Sequence, residues 1–291
     1  MKNKFFKPVD VSLKIARPTS SPEERNDYNM NRIDKCFEQL KAENRKALIT
    51  FITAGDPDLD TTEKTALKMY GSGADIIELG VPFSDPVAEG VTIQKASLRS
   101  LSGGTNLNKI FDCVKAIREK TEKPLLLMMY INTIFRYGTE RFFAQCREYG
   151  IDGVIVPDTP YEEREEIADY AERHGIVSVN LVAPTSRGRI KEIASHSKGF
   201  LYCVSSTGVT GVRQSYTTNF EEFFGLIKES CTCPYAVGFG ISGPEQAKKM
   251  SSYCDGVIVG SAIVRIMEEK GADSVEAVGE FVRELRAALD S

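Results

Sequence analysis

The chain has two histidines in 291 residues, no basic excess and no Cys-x-x-Cys pair. It also has no apolar run near the roughly 20 residues that would cross a bilayer. Each absence removes a class of function. A net charge of −4 gives no electrostatic footprint for nucleic acid. Seven scattered cysteines suit a reducing, cytoplasmic setting better than a disulfide scaffold. Cys231-Thr232-Cys233 is too tight for zinc-finger spacing. Residues 1–29 lack an apolar stretch that would mark a signal peptide and are broken by three prolines. They read as a disordered extension, with Met30 as an alternative start, and the acids they carry disfavour a transit peptide.

What is present is a repeat of element types. Short β-branched or apolar runs at residues 48–53, 75–79, 125–130, 153–156, 177–181, 200–204, 236–239 and 256–259 are each followed within a few residues by Gly, Pro, Asn or Asp. Helical periodicity follows at 61–72, 107–121, 140–149, 161–174, 187–197, 220–229 and 244–252, and again from Ser261. Near-continuous apolar strands alternating with helices imply a parallel sheet covered on both faces. Eight such units predict an α/β protein with one (β/α)8 TIM barrel over residues 30–291, including an N-terminal helix that opens at Met30. An open doubly wound sheet is the alternative. Its Gly-rich fingerprint is absent after the first strand, where the turn reads Ala54-Gly55-Asp56-Pro57.

Barrel chemistry collects at the C-terminal ends of the strands. In the second strand, "DIIELGV", the two-residue period sets Ile76, Glu78 and Gly80 on one face and Ile77, Leu79 and Val81 on the other. Glu78 therefore points into the barrel, where an unpaired carboxylate is costly and is paired, protonated or kept for chemistry. Asp85 and Glu89 follow in the next loop, where acids are commonly solvated. His174 and His196 fall at helix ends, so a histidine-built metal site is not expected. No strand ends in a lysine for a Schiff base, and no Gly-x-Ser-x-Gly elbow occurs. Carboxylates and the tyrosines Tyr130 and Tyr202 remain for proton transfer. "SSTGVTGVR", "GFGISGPEQ" and "VGSAIVRI" follow the last three strands. Their glycines Gly208, Gly211, Gly240, Gly243 and Gly260 let backbone amides approach a ligand, and Ser261 is placed to cap the next helix. The residues alone thus predict a small phosphorylated substrate, its phosphate over the seventh and eighth strands and its reactive part near Glu78.

The blocks "ELGVPFSDP" with its downstream "IQ", "TAGDP", "SSTGVTG", "GFGIS" and "VGSAIV", in that family's order, resemble the tryptophan synthase alpha-subunit family from about Met30 to the C-terminus. The resemblance implies a lyase that cleaves indole-3-glycerol phosphate to indole and glyceraldehyde 3-phosphate by a retro-aldol reaction. It implies a catalytic role for Glu78 and, at the position of the family's aspartate, for Glu89. Glutamate is longer there by one methylene, and Gly90-Val91 replaces the common Gly-Pro. A weakened, ligand-binding regulatory subunit is the alternative this substitution raises; a lyase that releases free indole without a partner is another. The resemblance also places Phe51, Tyr202, Thr210, Gly211, Phe239, Gly240, Gly260 and Ser261 around the substrate. Ser206 stands where some members carry an arginine. The family forms an alpha2-beta2 heterotetramer in which pyridoxal phosphate sits on the beta subunit and the alpha subunit holds no cofactor. Pro82 and Asp85 are expected to face that partner.

Overall fold

The computed structural model describes residues 30–204, 220–238 and 240–291. The expected extension 1–29 lies outside them. Its elements are α1 (Arg32–Ala42), β1 (Ala47–Thr53), α2 (Leu59–Gly71), β2 (Ile76–Gly80), α3 (Val91–Ser102), α4 (Leu107–Arg118) and β3 (Leu125–Met128). There follow α5 (Ile131–Tyr137), α6 (Thr139–Glu148), β4 (Gly153–Ile155), α7 (Glu165–His174), β5 (Val177–Val179), β6 (Leu181–Val182) and α8 (Ile190–Ser195). The chain continues through β7 (Leu201–Val204), α9 (Phe220–Ser230), β8 (Tyr235–Gly238), α10 (Pro244–Ser251), β9 (Gly256–Val259), α11 (Ser261–Lys270) and α12 (Ser274–Asp290).

The sheet runs β5-β4-β3-β2-β1-β9-β8-β7-β6, and each pairing is parallel. β5 and β6 are one extended segment interrupted at Asn180, whose carbonyl accepts the Tyr202 N–H at 2.9 Å. The ladder therefore closes on itself as the (β/α)8 barrel that the alternating pattern predicts, with the fifth strand split.

Both faces of β1, β2, β4 and β9 are buried throughout, so the alternation is one of destination rather than polarity. Ala47, Ile49, Ile76, Leu126, Ile155, Val179, Phe200, Tyr202, Ala236 and Ile258 form the interior cluster. Leu48, Ile52, Ile77, Leu79, Leu125 and Leu127 pack under the helices. Ile33, Phe37 and Leu40 of α1 close the interior from the side where the strands begin, with Phe37 5.8 Å from Phe200 between ring centroids. Asn31 starts that helix by accepting the Ile33 N–H and ties it down by donating to the carbonyl of Asp152 at 2.9 Å.

The same end carries a repeated device. Asp75, Asp152 and Asp255 each stand one residue before a strand and accept the N–H of Leu48, Leu125 and Tyr235 on the neighbouring strand, at 2.8, 2.9 and 3.1 Å. Arg118 and Arg32 hold Asp152 at 2.5 and 3.0 Å, and Arg286 holds Asp75 at 3.2 Å.

Three helices depart from the sequence expectation. α3 shows Val91 and Leu98 to solvent, which blurs its apolar stripe. α5 is seven residues long, below the span in which periodicity is legible. The stretch from Ser261 is two helices, divided at Gly271, whose φ of 55° ends α11. The third strand stops at Met128, because Tyr130 takes the N-cap position of α5.

Candidate active site

Glu78 is the middle of the three inward positions of β2, between Ile76 and Gly80. In register it lies beside Phe51 of β1 and Leu126 of β3. It is fully buried on the inward face that the two-residue period assigns it, and neither carboxyl oxygen has a hydrogen-bond partner among the described residues. Burial alone pushes its pKa up to about 8. At neutral pH the folded chain therefore keeps this group protonated, as a donor without an acceptor.

The walls are fixed by glycines. A Cβ on Gly80 would stand 2.5 Å from the Phe51 ring, and one on Gly238 2.5 Å from the Tyr202 hydroxyl. Phe51 and Tyr202 thus lie where the adjacent strands have no side chains. Tyr202 is buried, and its phenol is pushed well above its ordinary value, first by burial and then by the field of Glu78. Ile93 and Ala96 of α3, Val264 of α11 and Met128 of β3 complete an apolar cluster around Phe51. The sequence reading missed α3 and Met128 as walls. For Met128 the signal was present, since it shares the inward parity of Leu126.

Glu89 sits in the loop before α3 and is half-buried. Its Oε2 accepts a short hydrogen bond from the Tyr130 hydroxyl, which itself accepts the N–H groups of Val87 and Ala88, both at 2.8 Å. Phe83 stacks on the Tyr130 ring at 4.8 Å. The Gln94 side-chain amide donates to the Glu89 carbonyl at 2.9 Å. One phenol therefore organises the whole loop that follows β2. Burial raises the Glu89 pKa, the Tyr130 bond opposes that rise, and the field of Asp158 adds to it. Asp158 in turn accepts the Ile131 N–H at 3.0 Å. Pro82 is buried just after β2, beyond Val81. Asp85 is exposed and accepts from the Ser84 hydroxyl.

At the last strands, Gly240 has a φ of 88°, a conformation that favours glycine. Gly260, not Ser261, occupies the N-cap position of α11; Ser261 is its first helical residue and makes no capping bond. The expectation that Ser261 caps this helix is corrected accordingly. The start of α11 has neither a capping side chain nor an acid in its first turn. By contrast, α2 and α4 are capped by Asp58 and Asn106. An uncapped helix start leaves amides and the positive end of the dipole open to an anion. Thr210, Gly211 and Phe239, with Ser206 and Gly208, lie outside the described residues.

A parallel (β/α)8 barrel with a buried carboxyl on β2 and an uncapped helix start after the last strand has the architecture of the barrel enzymes. The sequence profile described as "Tryptophan synthase alpha chain" matches residues 37–290. The tryptophan synthase alpha chain of Caldanaerobacter subterraneus subsp. tengcongensis is 50% identical over 262 residues, which is 89% of this chain and 100% of the relative. That of Geobacter sulfurreducens is 48% identical over 262 residues, 89% of this chain and 99% of the relative. A crystal structure of tryptophan synthase subunit alpha from Legionella pneumophila superposes with a TM-score of 0.81 at 37% identity, covering 90% of this chain and 99% of that one. A structure of the tryptophan synthase a2b2 complex from Pyrococcus furiosus gives 0.77 at 38% identity, covering 83% and 98%. The chain belongs to the tryptophan synthase alpha chain family. It is a lyase of tryptophan biosynthesis.

Proposed function

We propose that this chain cleaves indole-3-glycerol phosphate to indole and glyceraldehyde 3-phosphate, with Glu78 as the acid and then the base. The observation that carries this reading is the buried carboxyl of Glu78, protonated and without a hydrogen-bond partner among the described residues. It donates its proton to C3 of the indole ring, which makes the ring an electron sink. The resulting carboxylate takes the proton from the hydroxyl next to that ring as the carbon–carbon bond breaks, and the hydroxyl carbon becomes the aldehyde. The bonding pair returns to the ring, and Glu78 ends protonated as it began. A group that serves twice needs a pKa near the working pH, and about 8 meets that need.

Glu89 accepts the indole N–H in this proposal, with Tyr130 holding its carboxylate. Phe51 and Phe239 bracket the ring, Tyr202 borders the reacting carbon, and Thr210 closes over the ligand. Gly211, Gly240, Gly260 and Ser261 receive the phosphate, which the uncapped start of α11 supports. The chain needs no cofactor of its own. Its partner is a beta subunit carrying pyridoxal phosphate in an alpha2-beta2 heterotetramer, to which indole passes; Asp85 faces that partner. The resemblance to the tryptophan synthase a2b2 complex of Pyrococcus furiosus supports the partnership. The setting is the cytoplasm, and residues 1–29 are an extension to the catalytic domain at 30–291. Among the described residues no helix is long and apolar enough to cross a membrane.

The test is glyceraldehyde 3-phosphate release by the purified chain, with and without a matched beta subunit. Expected are slow cleavage alone, a large rise with the partner, and near-abolition by Glu78→Gln. Glu89→Gln is expected to lose on the order of 10²-fold, as misplaced catalytic groups do. Full activity in Glu89→Gln would remove that residue from the mechanism.

A further inference from the structure

The opposite end of the barrel holds a second group of reactive side chains. Cys231 and Cys233 lie in the bend between the C-terminus of α9 and the start of β8, with their sulfurs 3.7 Å apart. Both are partly exposed and both are free thiols. Cys231 Sγ also lies 3.1 Å from the carbonyl oxygen of Cys233. Two residues separated by one other span no more than about 7 Å of backbone, and a bend shortens that, so the pair falls within reach of a bond.

The other five cysteines behave differently. Cys36, Cys113 and Cys254 are pushed up to about 12 by burial, and burial raises Cys146 and Cys203 as well. Cys231 is drawn down to about 7, chiefly because the Cys233 thiol donates to it when it ionises. That same sharing raises Cys233. A thiol that ionises near neutrality, is reachable, and has a second thiol in contact has the parts of an attacking and a resolving cysteine.

We propose that Cys231 and Cys233 form a reversible thiol–disulfide exchange site on the face opposite the active site. Its substrate class is a low-molecular-weight disulfide, R–S–S–R. The Cys231 thiolate attacks one sulfur, forming the mixed disulfide Cys231–S–S–R and expelling RS⁻, which takes up a proton. The Cys233 thiolate then attacks the Cys231 sulfur, expelling the second RS⁻. The dithiol loses two electrons and two protons, and the small disulfide gains them as two thiols. A disulfide closing so small a ring is strained, so added dithiol returns it readily to the reduced form.

The experiment incubates the full chain with oxidised glutathione at pH 7.5 and maps its cysteines by peptide mass. The wild type is expected to lose the mass of two hydrogens in the peptide spanning Cys231 and Cys233, with no lasting adduct, and to regain it with dithiothreitol. Cys233→Ser is expected to trap a glutathione adduct on Cys231 several-fold faster than Cys36 or Cys254 acquires one. Cys231→Ser is expected to lose the rapid reaction altogether. Lyase activity, which should stay within about twofold in both variants, confirms that they fold. A lasting adduct in the wild type, or a Cys233→Ser protein that traps none, would overturn the proposal. So would oxidation between other cysteines.

Discussion

Glu78 sets a pH dependence whose sign follows from its environment. Its carboxyl has a pKa of about 8 in the fold against an ordinary 4.5. Between those values the folded chain keeps a proton that the unfolded chain releases, so this group's contribution is complete below about 4.5 and is lost as pH rises to about 8. Glutamine does not titrate. Glu78→Gln is therefore expected to match the wild type in urea unfolding near pH 4.5 and to exceed it by a few kcal/mol above pH 8. Parallel stability curves for the two proteins would mean that water reaches the carboxyl. In the proposed mechanism the catalytic proton follows the same titration, so the cleavage rate is expected to fall above about pH 8. Tyr130 shows the limit of residue-level reading. Its position near a strand end was legible, but its joint hold on Val87, Ala88 and Glu89 joins residues more than 40 apart in sequence.

At the scale of elements, the aspartates before β2, β4 and β9 are what align neighbouring strands where they begin. Asp152 is the most loaded of them, since it binds the Leu125 N–H, Arg118 and Arg32 together. Its removal leaves the Arg118 guanidinium, only 10% exposed, without its acid. Asp152→Ala is expected to cost about 3–5 kcal/mol, read from the urea midpoint. Asp255→Ala, which gives up the bond to the Tyr235 N–H, is expected to cost about 1–2 kcal/mol. Equal losses at both sites would mean that the arginines contribute nothing. The strands themselves were legible because each is apolar and bounded by turn residues. α3 and α5 were not, because one exposes part of its apolar surface and the other has barely two turns.

At the scale of the whole molecule, the large exposed apolar side chains among the described residues lie on the loop after β2, on α3 and on α5. Val87 is 74% exposed and Phe135 46%, on segments that meet at Tyr130. A partner covering this face would bury both. Phe135→Asp is expected to leave basal cleavage unchanged and to weaken stimulation by the beta subunit about tenfold or more, measured by titrating the partner. Undiminished stimulation would place the interface elsewhere.

The order of the strands, the closed barrel and the inward direction of Glu78 were all legible in the sequence alone. The reason is that side-chain direction in a strand is a local property with a period of two. Tertiary structure decided what that direction meant. The break at Asn180, the plug formed by α1, the seats left by Gly80 and Gly238, and the hold of Tyr130 on Glu89 come from distant segments meeting. The raised pKa of Glu78 has the same origin. Desolvation depends on everything that surrounds a group, and no local pattern encodes it.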